Sequence, residues 1–225
     1  MQDLTVPVIT LDGLAGVGKG ATRSAIAKKL GYRELDSGAL YRAIAFQAHR
    51  MNAIHDIPAI VRLIPDMDVQ VDGEEIFIAG KRVTSIVRST SIGKLTSMLA
   101  KVPQIRDGAL SMQLSARVAP GLVADGRDMA FIFETEYRFW LEAAIGVRAK
   151  RRLEQLRSLK RRRVSYAGLL RSMQERDMAD VSREVSPAIR HPKAWIIDTG
   201  ITKDPEETAA AILLNCQGLT RVARA

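Results

Sequence analysis

The stretch that most constrains the fold is an apolar strand pattern that ends in a glycine-rich loop and continues as a helix pattern. Residues 6–12 are mostly apolar and rich in β-branched side chains, residues 13–21 contain four glycines and one lysine, and residues 22–30 favour a helix. Glycines let successive backbone N–H groups turn toward one anion, and the helix start adds partial positive charge. Lys19 would reach the outer phosphates of a nucleotide. The order strand, loop, helix therefore predicts a phosphate-binding loop.

The loop departs from the usual phosphate-loop pattern at its last position. The spacing from Gly13 to Lys19 matches that pattern, which normally continues with a hydroxyl side chain that meets Mg²⁺. Here a glycine and Ala21 follow the lysine. Thr22 lies one residue further, about 100° around a helix, and is not expected to substitute directly. The loop predicts phosphate binding without direct metal contact.

Length and composition predict one soluble globular domain. The 225 residues, 47% hydrophobic and 26% charged, suffice for one α/β core with a small insertion. The N-terminus carries Asp3 and no charged-then-apolar leader, and no apolar run approaches membrane-spanning length. Cys216 is the only cysteine, which excludes an internal disulfide and a cysteine metal cage. These features favour a cytoplasmic protein without a membrane partner.

The positive charge is concentrated in one run. The net charge is +9, and nine of the sixteen residues from Arg148 to Arg163 are Lys or Arg, opposed only by Glu154. Three readings remain open: a solvated helix face, a mobile cationic segment that folds over transferred phosphates, and an RNA-binding stripe. The run contains no aromatic residue on which a base could stack, so no nucleic-acid partner is expected.

Two further stretches, residues 32–42 and 68–84, predict a capped helix and a small antiparallel sheet. After a short strand at residues 32–35, Asp36 or Ser37 can cap the next helix, and Arg42 follows about one turn later. Capping alone is the simpler explanation, although this arrangement also suits an anion. Alternating apolar residues at positions 68–84 predict a three-stranded antiparallel meander that must pack on a neighbour, because it is too small for a core of its own.

A second strand ends in charged residues. In residues 121–128 a short apolar run is followed by Asp125 and Arg127. Ligands bind at the carboxyl edge of parallel α/β sheets, so Asp125 could order Mg²⁺ or its waters and Arg127 could grip a phosphate. An internal Arg–Asp salt bridge is the structural alternative.

The remaining aromatic and histidine residues carry no predicted chemistry. Trp140 and Trp195 lie in the last two strand patterns and are predicted to be core residues. The three histidines are scattered without ligand spacing, so a histidine metal site or a histidine-based nucleophile is not expected.

Together these stretches resemble the bacterial cytidylate kinases, the nucleoside-monophosphate kinases that phosphorylate CMP and dCMP. The resemblance covers residues 8–213 and rests on four blocks in the family's order. These blocks read DGLAGVGKG at 12–20, LDSGALYR at 35–42, ADGRD at 124–128 and ERD at 175–177. The second and third blocks are more specific than the phosphate loop alone.

The resemblance implies an α/β fold of the P-loop NTPase type. It is a three-layer sandwich with a mainly parallel five-stranded sheet, a small β-containing insert that binds the monophosphate, and a helical lid. In the single domain 1–225 the implied core covers about residues 1–62, 101–147 and 184–225, the insert about 63–100 and the lid about 148–183. The resemblance also implies a monomer.

The resemblance further implies a role for individual residues. The ATP phosphates would be bound by Gly13, Leu14, Ala15, Gly16, Val17, Gly18, Lys19, Gly20 and Ala21. CMP or dCMP would be bound by Ser37, Arg42, Arg88, Ser97, Arg106, Arg127, Asp128, Asp180 and Arg183. Within that set Arg42 and Arg106 would hold the acceptor phosphate, Arg88 and Ser97 the cytosine, and Asp180 the sugar. Lys19, Arg127, Arg176 and Arg183 would act on the transferring phosphoryl group. Mg²⁺ would be held by ATP oxygens, waters and Asp125.

Three alanines depart from the family's pattern. Ala15 and Ala21 replace loop hydroxyls, and Ala179 replaces a second arginine between lid and helix. Contacts of this kind contribute up to a few kcal/mol each in an active site, so turnover could be slow by orders of magnitude. The hypothesis is a cytidylate kinase that uses ATP and Mg²⁺. Two alternatives remain: a small phosphate-loop kinase for UMP or AMP, and a catalytically weak nucleotide-binding or regulatory relative.

Overall fold

The computed structural model describes residues 4–158, 164–202, 204–216 and 218–219. Its strands are β1 (Val8–Asp12), β2 (Arg33–Asp36), β3 (Val69–Asp72), β4 (Glu75–Ile78), β5 (Lys81–Arg82), β6 (Leu122–Gly126), β7 (Tyr137–Glu142) and β8 (Trp195–Asp198). Its helices are α1 (Lys19–Leu30), α2 (Ser37–Arg50), α3 (Ile57–Leu63), α4 (Thr84–Val87), α5 (Thr90–Leu99), α6 (Pro103–Ser115), α7 (Met129–Ile132), α8 (Ile145–Ser158), α9 (Tyr166–Val181) and α10 (Pro205–Leu214), with a 3-10 turn at Ile64–Asp66.

The main sheet has five parallel strands in the order β2-β6-β1-β7-β8. Strand β1 is central, and its Thr10 pairs with Ala124 of β6 and Arg138 of β7. Every residue of β1 and β6 is buried, as expected for parallel strands covered by helices on both faces. This arrangement confirms the predicted α/β class with a five-stranded parallel sheet.

Two apolar layers cover the faces of this sheet. On one face Ile9 and Leu11 pack with Ile26 of α1 and Ile212 of α10. On the other face a second cluster contains Val8, Leu122, Ala124, Met129 and Phe133. The phosphate loop therefore emerges from the middle of the sheet, supported on both sides by packed side chains.

Helix α1 begins three residues earlier than the apolar pattern predicts. Gly18, at φ 95°, closes the loop in a left-handed conformation, and Lys19 then enters the first helical turn. Gly31, at φ 72°, ends the helix. The first N–H groups of α1 consequently face the loop, where an anion could accept from them.

The predicted meander is confirmed as a separate sheet with the order β3-β4-β5, antiparallel throughout. Its buried Ile76 belongs to the same apolar cluster as Ile44 of α2, Ile64, Val87 and Leu99. The meander therefore packs on α2 of the core and on neighbouring helices of the insert, as its size requires.

Helices α8 and α9 pack against each other beside the loop. Ser165 caps α9 by accepting from the N–H of Gly168 at 3.1 Å. Residues 159–163, the most basic part of the predicted lid, lie outside the described residues. Among the described residues no helix is long and apolar enough to span a membrane.

The prediction that Trp195 is a core residue is wrong. Its side chain is 58% exposed. It lies on β8, the last strand in the order of the described sheet, which pairs with β7. Trp140, on β7, is partly buried. The strand pattern of apolar residues is the same in both places, and the position of the strand in the sheet decides the burial.

Candidate active site

The phosphate loop between β1 and α1 requires glycine at its first position. Gly13 has φ 148°, and a Cβ there would come within 2.2 Å of the carbonyl oxygen of Leu141. Lys19 folds back over the loop, and its Nζ donates to the carbonyls of Gly13 at 2.8 Å and Leu14 at 3.0 Å. Burial, assisted by the charge of Arg127, lowers the pKa of Lys19. The loop thus holds a buried amine where phosphates are expected.

Asp12, the last residue of β1, joins the loop strand to α7. Its two carboxylate oxygens accept from the N–H groups of Met129 at 2.9 Å and Ala130 at 2.8 Å. Burial raises the pKa of Asp12 to about 7, although these two hydrogen bonds oppose the shift. Sequence reasoning did not assign Asp12 a role, although it precedes Gly13 within the first family block.

Arg127 connects the end of β6 to the loop and to α9. Its Nε donates to Oδ2 of Asp180 at 2.8 Å, and its Nη1 donates to the Gly13 carbonyl at 2.8 Å. Burial opposes the ionisation of Asp180, but the charge and hydrogen bond of Arg127, together with the charges of Arg176 and Arg183, outweigh it and lower the pKa of Asp180. The two predicted CMP-binding residues therefore contact each other, and they bring the lid helix onto the loop.

A second group of predicted residues lies beside the first. Arg106 forms a buried ion pair with Asp128, and its guanidinium carbon lies 5.6 Å from the centre of the Tyr41 ring. Arg183 donates from Nε to the Asp180 carbonyl at 3.2 Å. Its buried Nη2 has no hydrogen-bond partner in the described part of the chain. A buried cationic donor without a partner is suited to an anionic ligand.

Ser37 begins α2 next to the capping residue Asp36. The Asp36 carboxylate accepts from the N–H of Ala39 at 2.8 Å, which confirms the predicted cap. The Ser37 hydroxyl accepts from the side-chain amide of Gln113 at 3.0 Å and is buried. Ser37 is therefore held at the carboxyl edge of the sheet.

Arg42 reaches from α2 toward the meander side of the protein. Its Nη1 donates to the Val87 carbonyl at 2.7 Å. Burial, together with the charges of Arg176 and Arg88, lowers the pKa of Arg42 to about 10. Arg42 therefore faces a strongly positive part of the cleft.

The two residues predicted to meet cytosine are tied to their own surroundings. Arg88 lies 3.7 Å from the carboxylate of Asp36 and donates to the Glu74 carbonyl at 3.1 Å. Ser97 donates back to the Gly93 carbonyl of its own helix at 3.1 Å. Arg88 borders the group around Asp36, whereas Ser97 bonds within its own helix. The base-binding roles of both stay predictions.

Arg176, on α9, is close enough to Arg127 and Asp180 for their charges to act on it. Its side chain is exposed to solvent, yet desolvation by the surrounding protein and the charge of Arg127 lower its pKa. Arg152 of α8 adds to this effect. Arg152 was not predicted individually, because it lies in a run of similar cations in which spacing alone distinguishes no member.

Arg148 was likewise not predicted as a single site residue. It is buried, and its Nη1 donates to the Ala15 carbonyl at 3.0 Å and to Oδ2 of Asp177 at 2.6 Å. Arg148 thus belongs to the interior and not to a solvated helix face. It links the loop to both lid helices.

The described residues do not form a direct site for Mg²⁺. The loop carries Ala15 and Ala21 in place of hydroxyls, and Oδ1 of Asp125 accepts from Arg23 in a buried ion pair. Among these residues no group of three His, Cys, Asp or Glu side chains could hold a metal ion. A divalent cation would need most of its ligands from a nucleotide and water. Asp125 as a metal ligand stays a prediction.

Several of the predicted residues form a connected arrangement along the carboxyl edge of the sheet. Contacts run from Lys19 through Gly13 and Arg127 to Asp180 and Arg183. The electrostatic field of this group extends to Arg106 and Asp128. The arrangement can hold two polyanions close together while cancelling their mutual repulsion.

Comparison with known proteins identifies the family. A family model described as cytidylate kinase matches residues 9–215. A cytidylate kinase from Marinomonas sp. is 39% identical over 202 residues, which are 86% of this chain and 88% of that protein. One from Proteus mirabilis is 38% identical over 201 residues, 86% and 89% of the two chains. A solved structure from Thermus thermophilus aligns with a TM-score of 0.46 at 19% identity, covering 96% of this chain and 98% of that chain. By its family-model match and these relatives, the chain belongs to the cytidylate kinase family.

Proposed function

We propose that this protein transfers the γ-phosphoryl group of ATP to CMP and dCMP, giving CDP and dCDP. Family membership supports the reaction and the acceptors. The observation that carries the proposal within the structure is the continuous row of cations from Lys19 through Arg127 to Arg183 at the carboxyl edge. This row provides donors for a triphosphate on the loop side and a monophosphate on the α2 side.

The reaction needs no general base from the protein. An oxygen of the acceptor phosphate is already an anion, so it can attack the γ-phosphorus directly. What the protein must supply is the in-line arrangement of two polyanions and stabilisation of the charge on the transferring group. Lysine and arginine side chains meet both needs.

On the donor side, the loop residues 13–21 bind the ATP phosphates with their N–H groups. Lys19 exchanges its two loop carbonyls for phosphate oxygens, a stronger partner for an ammonium group. Arg127 and Arg176 act on the transferring phosphoryl group from the sheet side and the lid side. Arg183, whose Nη2 lacks a partner in the described part of the chain, acts between this group and the acceptor.

On the acceptor side, a shared set of residues binds CMP. Arg42 and Arg106 hold its phosphate, and Asp180 binds the sugar. The remaining members of the set are Ser37, Arg88, Ser97, Arg127, Asp128 and Arg183. Pre-existing ion pairs support the proposal, because Asp128 and Asp180 already orient Arg106 and Arg127 toward one region.

Mg²⁺ enters as part of the ATP complex, where it neutralises phosphate charge. The protein contributes no hydroxyl from positions 15 or 21, and Asp125 is already paired with Arg23. Lys19 and the arginines therefore supply most of the protein's stabilisation of the negative charge on the transferring phosphoryl group.

One domain contains three functional parts: a core, an insert that binds the acceptor, and a lid. The core consists of about residues 1–62, 101–147 and 184–225, the acceptor insert of about 63–100 and the lid of about 148–183. Closure of the lid excludes water, which would otherwise hydrolyse ATP. The protein acts in the cytoplasm as a monomer.

The test is ADP release from ATP and Mg²⁺ with CMP, dCMP, UMP and AMP supplied separately. We expect ADP with CMP and dCMP, little with AMP, and none with the Lys19→Ala variant. Release with UMP or AMP alone would assign another acceptor. Tight CMP binding without ADP from any acceptor would favour a catalytically weak relative of the kinases.

A further inference from the structure

Arg23 lies outside the proposed site, yet it contacts four residues in three other parts of the fold: β2, β6 and the β3–β4 turn. It belongs to α1, the helix that follows the phosphate loop, and its side chain is 1% exposed. Its Nε donates to Glu34 at 2.8 Å, and its Nη1 pairs with Asp125 and lies 3.6 Å from Asp36. Its Nη2 donates to the Gly73 carbonyl at 2.8 Å. Each of the three guanidinium nitrogens therefore has a partner.

The contact with Gly73 joins the helix after the loop to the meander. Gly73 lies in the turn between β3 and β4 and has φ 56°, a conformation that favours glycine. The next carbonyl, that of Glu74, accepts from Arg88 at 3.1 Å. Two arginines thus hold successive carbonyls of the same turn, and both lie near the carboxylate of Asp36.

Asp36 extends this connection to the start of α2. It caps that helix, which carries Ser37 and Arg42. A guanidinium is planar and has five donors in fixed directions, so it can set the relative positions of three partners at once. Neutralising the nearby carboxylates would not require a contact with a backbone carbonyl 50 residues away. The contact with the meander turn is therefore a separate feature of Arg23.

We propose that Arg23 is a positioning residue for the acceptor nucleotide. It holds the β3–β4 turn and the start of α2 at a set distance from the phosphate-loop helix, so that the acceptor phosphate meets the ATP phosphates in line. Arg23 acts through these elements and not by touching substrate. The inference rests on the proposed CMP kinase function and deepens it.

The test compares Arg23→Lys with the parent protein in steady-state kinetics. Lysine keeps the positive charge beside Asp125, but a single ammonium group cannot also span Glu34 and the Gly73 carbonyl. We expect the KM for CMP to rise about tenfold, the effect of losing one hydrogen bond to a charged group, while the KM for ATP stays within about twofold. Arg82→Lys is the matched control. It makes the same replacement of a guanidinium by an ammonium group in the meander, at an arginine whose ion pair with Glu75 is exposed to solvent. We expect no change in either KM for this control.

A purely structural role for Arg23 predicts a different result. The Arg23→Lys variant would then melt at a lower temperature with both KM values unchanged or raised together, and either pattern overturns the proposal. If this variant fails to fold, Glu34→Gln removes the negative charge of one anchor of the guanidinium and weakens its hydrogen bond to Nε, while Asp125 and Asp36 keep their charges. We expect the amides of residues 69–78 to exchange faster in Glu34→Gln than in the parent protein, with exchange in α1 unchanged. Equal exchange rates at residues 69–78 in the two proteins would overturn the proposal.

The same kinetic experiment separates this inference from the proposed function. A parent protein that transfers phosphate to none of the acceptors contradicts the CMP kinase function and removes the basis of the inference. An active parent together with an Arg23→Lys variant of unaltered KM for CMP contradicts the positioning role alone.

Discussion

Arg148 donates one hydrogen bond to the carbonyl of Ala15, in the phosphate loop, and another to the carboxylate of Asp177, on α9. The residue that begins the basic run is thus a buried connection between the loop and both helices of the lid. Asp177 has a second oxygen, Oδ1, which is buried and has no partner among the described residues. The buried negative charge of Asp177 is therefore compensated mainly by Arg148.

This connection predicts that Arg148→Met lowers the free energy of unfolding by about 3 kcal/mol, because it leaves the carboxylate of Asp177 buried without its cation. Urea denaturation followed by circular dichroism measures the change. The double variant Arg148→Met/Asp177→Leu removes both charges and should recover at least half of the loss. A double variant as unstable as the single one would contradict this explanation.

The missing loop hydroxyl predicts that Ala21→Thr increases kcat. A hydroxyl at this position gives Mg²⁺ a protein ligand, and a contact to a charged group in an active site contributes about 1 to 3 kcal/mol, so the expected gain is about tenfold to a hundredfold. The assay uses saturating ATP, Mg²⁺ and CMP. Ala21→Val has nearly the shape of threonine without its hydroxyl, and it should show no gain. Equal increases in both variants would assign the effect to packing.

The buried amine of Lys19 predicts that ATP binding takes up protons. Burial lowers the pKa of Lys19 to about 7, so most of the population is neutral in the free protein near pH 8. Phosphate oxygens favour the charged amine and raise the pKa, and up to one proton is bound per ATP between about pH 7 and 10. Titration calorimetry in two buffers of different ionisation enthalpy measures this uptake. The Lys19→Met variant should show no lysine-linked uptake, and identical enthalpies in both buffers for the parent protein would contradict the shift.

The ion pair between Arg127 and Asp180 predicts a selective effect of Asp180→Asn. The substitution keeps the shape of the side chain but removes the charge that orients Arg127 above the loop. We expect kcat/KM for CMP to fall about tenfold to a hundredfold, while binding of an ATP analogue changes little. Glu175→Gln, on the exposed side of the same helix, is the control. Loss of ATP-analogue binding in Asp180→Asn would show that this pair supports the donor side instead.

Local patterns were sufficient for most of the secondary structure. The glycine loop before α1 and the Asp36 cap of α2 both follow rules that involve only a few neighbouring residues. The alternating residues of the meander likewise identified β3, β4 and β5. Recognition of the family added the candidate site residues, whose binding roles stay predictions.

Trp195 marks the limit of this approach. Its strand pattern is apolar, and a core position is the natural prediction, but β8 is the last strand in the order of the described sheet and leaves the side chain exposed. The order of strands in a sheet depends on how distant segments pack, which a local window does not contain.

The sequence by itself determined the family, the fold class and the location of the phosphate loop, because these depend on residue types at short, fixed spacings. Only the tertiary structure decided which charged groups meet. Arg23 and Asp125 are 102 residues apart, and Arg148 contacts a carbonyl 133 residues away. Ion pairs of this kind form where packing of the apolar layers brings strand ends and helix starts together, and no local spacing encodes that meeting.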